Sequence, residues 1–64
     1  MNANKLRAKI KEKGLTQEKV AKIIGISENS LSRKLNGKKD FRLGEVILLC
    51  QALQIDNVEE IFLQ

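Results

Sequence analysis

Asn29 and Arg33 are the residues of this chain whose chemistry is easiest to name. They stand four apart, so on a helix both side chains leave the same face. An arginine fork matches the O6 and N7 acceptors of guanine, and an asparagine amide matches N6 and N7 of adenine. Ser30 and Ser32 put hydroxyls beside them, while Leu31 and Leu35, at i, i+4, give the same helix an apolar opposite side. From Gln17 to Leu35 the chain reads as two short helices. They are joined by a turn that admits nothing bulkier than Gly25, at a position where a left-handed backbone is usually needed, and the second presents Asn29 and Arg33 outward. That layout suits the edge of a DNA duplex.

Charge points the same way. All 12 Lys and Arg lie within residues 1–42, against Glu12, Glu18, Glu28 and Asp40, a net +8. Residues 43–64 carry no base and four acids, Glu45, Asp56, Glu59 and Glu60, a net −4. One part of the molecule is suited to a polyanion and the other is not. Lys38, Lys39 and Arg42 follow the second helix of the pair and are placed for backbone contact. Lys5, Lys9, Lys11, Lys13, Lys19 and Lys22 read as solvated faces, with long-range steering as the alternative.

Other chemistries are poorly supplied. The chain has no His and one Cys, which leaves neither a zinc site nor the usual base for a Ser or Cys nucleophile. The glycines at 14, 25, 37 and 44 are too scattered for a phosphate loop. Only Phe41 and Phe62 are aromatic, against base-stacking platforms of the single-stranded kind. The longest apolar run, Val46 to Cys50, is far too short to span a bilayer, and the start of the chain has no apolar signal core. A lone Cys50 fits a reducing compartment and a place in the core. The expectation is one domain over residues 1–64 with no enzymatic activity, cofactor or metal, acting in the cytoplasm without a membrane. A core this small is marginally stable.

The elements that must position these residues are all helical, since Pro is absent and no period-2 stretch is sustained. A first helix is predicted from about Ala3 to Lys13, capped by Asn2 and stopped by Gly14, with Leu6 and Ile10 buried. Thr16 caps a second, Gln17 to Ile24, which buries Val20, Ala21 and Ile24. Ile26 plugs the turn, Ser27 caps a third helix from Glu28 to about Asn36, and Asn36-Gly37 closes it. A fourth, about Leu43 to Leu53, supplies the core through Leu43, Val46, Leu49, Cys50 and Leu53. Asp56 followed by Glu59 resembles a capping box for a last helix, Asn57 to about Leu63, with Val58, Ile61 and Phe62 apolar.

Gln17, Ala21, Gly25, Ile26 and Leu31 together resemble the Cro and repressor-type (Xre-like) helix-turn-helix family of phages and bacteria. The resemblance extends over essentially the whole chain, including the loop from Leu35 to Lys38. It implies an all-α, compact five-helix repressor-like domain whose second and third helices form the helix-turn-helix. It further implies a double-stranded DNA operator as partner, with the side chains at Glu28, Asn29 and Arg33 touching base edges. Gln17 would grip a phosphate at the start of the second helix, and Ser27 and Asn36 would bind backbone. Ser32 is a further base contact on this reading, and Ser30 a further phosphate contact.

Two positions depart from the family pattern. Glu28 stands where many relatives carry an amide; it either accepts from cytosine N4 or only complements the helix dipole. Lys34 stands where relatives often bury an apolar residue. The expectation is that its stem lies along the protein and its ammonium reaches a phosphate. Leu48 lies off the core stripe of the fourth helix, and with Ala52 and Leu63 it is expected to form a dimer contact, since the family binds paired half-sites. The expected activity is that of a phage or prophage-type repressor, a homodimer on a two-fold operator. The rivals are an antitoxin of the same fold and a protein-interaction module that has lost DNA binding.

Overall fold

The computed structural model describes residues 1–63. Its helices are α1 (Ala3–Glu12), α2 (Gln17–Ile24), α3 (Glu28–Leu35), α4 (Leu43–Leu53) and α5 (Val58–Phe62). The fold is all-helical with extents of 25 × 24 × 20 Å. The first three helices start where a side-chain oxygen accepts an otherwise orphaned backbone N–H. Asn2 Oδ1 takes that of Lys5 at 3.1 Å, Thr16 Oγ1 that of Lys19 at 3.2 Å, and Ser27 Oγ that of Ser30 at 3.0 Å.

Helices α1 to α4 all end the same way. At the end of α2 the Ile26 N–H donates to Ala21 O and the Gly25 N–H to Lys22 O, the paired bonds of a Schellman motif. Equivalent pairs close α1 at Gly14 and Leu15, α3 at Gly37 and Lys38, and α4 at Gln54 and Ile55. The motif needs a left-handed residue, and Gly25 supplies it with φ +80. Crowding is not the reason for glycine here, contrary to the expectation from sequence: a Cβ would meet nothing within 4 Å. The backbone conformation alone requires it. At the end of α4 that conformation falls to Gln54, with φ 53.

The core is Leu6, Ile10, Val20, Ala21, Ile24, Leu31, Leu35, Leu49, Leu53, Ile55 and Ile61, with Leu15, Ile26, Phe41, Cys50 and Phe62 half-buried around it. Helix α2 is the hub, packing on both α3 and α4. Phe41 meets Phe62 edge to face with centroids 6.1 Å apart, a favoured arrangement of ring quadrupoles. Helix α5 closes against α1, where the Asn2 N–H donates to Ile61 O at 2.6 Å.

Three local expectations are corrected. Leu43 is 76% exposed, because the buried side of α4 runs through Glu45, Leu49 and Leu53 and Leu43 lies about 120° round from Leu49 at 3.6 residues per turn. Val58 is also exposed, leaving Ile61 and half-buried Phe62 as the packed side of α5. The capping box at Asp56 and Glu59 does not form: Asn57 is the N-cap and makes no side-chain cap bond, so the pair is one residue out of register. A capping carboxylate occurs instead at α4, where Glu45 accepts the N–H of the N-cap residue Arg42 at 2.9 Å. No described helix is long and apolar enough to cross a membrane.

Candidate nucleic-acid interface

Helices α2 and α3 meet through small and apolar side chains. Ala21 and Leu31 are 1% and 0% exposed, and the absence of a larger side chain at 21 lets the helices approach. The Schellman bonds at Gly25 then fix the angle at which Ser27 opens α3. Leu31, Lys34 and Leu35 are the buried side of α3. At 100° per residue the opposite side carries Asn29 and Arg33, and both are exposed. Among the described residues neither enters an ion pair or a side-chain hydrogen bond; Asp40 does not bind Arg33. Both forks are therefore free to meet an external partner. Ser32 and Ser30 flank them half-buried, and Glu28 is exposed at the first turn.

Around this face the polar groups differ in what they still have to offer. Ser27 uses a lone pair to cap α3, and its O–H remains a donor. Gln17 opens α2, half-buried. Asn36 Oδ1 accepts from Arg7 Nη2 at 2.8 Å, which leaves the Asn36 amide N–H groups as donors. Lys38, Lys39 and Arg42 are exposed, and none is in an ion pair among the described residues. Of the α1 lysines, Lys5 reaches Glu60 on α5 at 3.2 Å, Lys9 pairs with Glu12 and Lys13 Nζ donates to Gln54 Oε1. Of these three, Lys5 meets an acid of residues 43–64 and Lys13 a neutral amide there.

Lys34 is the main correction. It is 3% exposed, its ammonium donates to Glu45 Oε1, and its Nζ sits 5.8 Å from the centroid of the Phe41 ring. An ammonium enclosed in this way does not reach a phosphate. Lys34 and Leu35 are both buried. The hydrogen bond from Lys34 holds the Glu45 carboxyl below its ordinary range, against the opposing effect of burial and with help from the Arg42 N–H. Cys50 is half-buried, and desolvation pushes its thiol up.

The structure also separates the expected dimer contact. Leu63, 74% exposed, lines a groove of about 850 Å³ with Leu43, Val46 and Val58. Leu48, 39% exposed, lies about 160° round α4 from Val46 by helical geometry, so Leu48 and Ala52 do not share a patch with Leu63. Sequence reasoning missed Arg7 altogether, because its partner Asn36 is 29 residues away and nothing local marks it.

The family described as Helix-turn-helix matches the chain over residues 6–56. No curated protein matches the chain, and no solved structure does. The matched span takes in all of α2, α3 and α4, with the turn at Gly25 and the free face of α3 inside it. The chain therefore belongs to the Xre/Cro-like helix-turn-helix family, whose members are DNA-binding transcriptional regulators.

Proposed function

We infer that this chain is a sequence-specific regulator of the phage or prophage type, acting on double-stranded DNA in the bacterial cytoplasm with residues 1–64 as one binding domain. It lays α3 in the major groove and binds as a homodimer on a two-fold operator, with half-site centres about 34 Å apart. The observation that carries the reading is the pair Asn29 and Arg33, exposed and unpartnered one turn apart on a helix whose other side is buried. Asn29 and Arg33 read bases, with Glu28 and Ser32 at the edge of the readout. Gln17, Ser27, Ser30, Asn36, Lys38, Lys39 and Arg42 take the phosphates; Lys34 is no longer among them. Occupying a promoter would repress it.

Selection from a random-sequence duplex pool near physiological salt, followed by sequencing, tests this. A single enriched motif with two-fold symmetry supports the dimeric reader and gives its spacing. Binding without enrichment removes sequence specificity and leaves a non-specific DNA binder.

A further inference from the structure

The strip from Lys38 to Arg42 leaves the recognition helix and returns to α4, and it is fastened at three points. At its start, the Lys38 N–H donates to Arg33 O at 2.9 Å, beside the Gly37 bond to Lys34 O. In its middle, Phe41 is held between the Phe62 ring and the Lys34 ammonium. At its end, Glu45 Oε1 accepts both the Arg42 N–H and the Lys34 ammonium. One carboxylate oxygen thus joins α3, the end of the strip and α4.

Such a pair contributes little net stability compared with well-packed apolar residues of similar volume. What it adds is direction: two donors converge on one atom, which an apolar contact cannot specify. The strip whose end it holds, at the Arg42 N–H, carries Lys38, Lys39 and Arg42, three exposed cations that follow α3. We propose that Lys34 and Glu45 are positioning residues for DNA binding, whose buried bridge holds the Lys38–Arg42 strip in register with α3 and so sets how many phosphates the protein neutralises. This rests on the reading of α3 as the DNA-binding helix.

The test uses two double variants that leave net charge unchanged, so that bulk electrostatics stay constant. Lys34→Met with Glu45→Leu removes the whole bridge. Lys34→Met with Glu45→Gln removes the ammonium but keeps an acceptor for the Arg42 N–H. Binding to a fluorescein-labelled random 30-base-pair duplex is followed across a salt series, and folding is checked by thermal melting. The slope of log affinity against log salt is about −0.9 per neutralised phosphate. The first variant is expected to flatten it by about 2 and the second by about 1, each still melting cooperatively. Over a fourfold change in salt, a flattening of 2 is roughly a sixteenfold difference in how affinity responds. A merely structural role moves the melting temperature and leaves the slope alone. A wild-type slope from either folded variant overturns the proposal, and the amide variant carries the test by itself should the apolar one not fold. Absence of salt-dependent binding by the unaltered protein overturns the underlying reading as well, an outcome distinct from variants that merely match it.

Discussion

The Arg7 guanidinium on α1 donates to the side-chain oxygen of Asn36 at 2.8 Å, so a helix outside the helix-turn-helix holds the C-terminal end of its second helix, α3. The bond sits at the surface, where water weakens it, yet Arg7 is half-buried. We predict that Arg7→Met and Asn36→Ala are coupled by about 0.5–1 kcal/mol in a urea-denaturation cycle. Additive effects would show that the contact has no energetic content.

Arg33→Ala should cost about 1–3 kcal/mol on a selected site and relax one base position, while Lys38→Ala weakens every sequence alike and flattens the salt slope by about 1. Competition between selected and random duplexes separates the two. Equal losses on both duplexes for Arg33→Ala would remove its role as a reader.

Removing Lys34 alone should be far worse than removing the pair. Lys34→Met leaves a buried carboxylate without its cation, and the expected loss is about 3–5 kcal/mol in chemical denaturation. Its dependence on pH carries a sign. In the unaltered protein the Glu45 carboxyl is held below 4.5, so its contribution is fully present above that value and fades as pH falls through the lowered folded value. In Lys34→Met the largest cause of that lowering is gone while burial still opposes the charge, so the deficit should shrink as pH falls toward 4.5. A deficit that does not shrink between neutral pH and that point contradicts this account.

Gln54 adopts a left-handed backbone with φ 53, a conformation that costs an L-residue roughly 1–2 kcal/mol. Gln54→Gly should therefore stabilise the fold by about 0.5–1 kcal/mol after loss of the exposed Lys13 contact, raising the melting temperature by several degrees. An unchanged or lower melting temperature would mean that the side chain contributes more than its position suggests.

Leu63→Glu and Leu48→Glu distinguish the two faces on which a second copy could sit. The groove holding Leu63 adjoins Asn36, Gly37 and Lys39 at the end of the reading helix, which favours it over the Leu48 side for paired half-sites. Sedimentation equilibrium should show a loss of dimer for Leu63→Glu and none for Leu48→Glu. The reverse result restores the Leu48 face, and no effect from either removes both.

Much of the fold was legible because its punctuation is local. Thr16, Ser27 and Asn2 sit where a cap oxygen is needed, and Gly14, Gly25 and Gly37 sit where the chain must turn left-handed. The bounds of α2 and the starts of α1 and α3 followed from those signals. The misreading of Lys34 depends on distance along the chain, while others are local slips of register or helix face. Lys34 looks like a surface residue until Glu45, 11 positions on, is folded against it. Leu43 looks like core until the buried side of α4 is seen to include a carboxylate. Nothing near Gln54 advertises its φ. That Asn29 and Arg33 share one exposed face of α3 was visible, because helical spacing alone places them together.

The helices have 10, 8, 8, 11 and 5 residues, each shorter than the roughly 12–15 at which an isolated helix begins to persist in water. None of them outlasts the collapse of the others. A molecule that lets go of its core therefore loses its means of reading DNA in the same event, and any duplex that holds the folded form protects the whole chain by mass action. Occupancy then becomes longevity: copies seated on DNA should survive proteases that clear the free pool, as limited proteolysis with and without duplex would reveal.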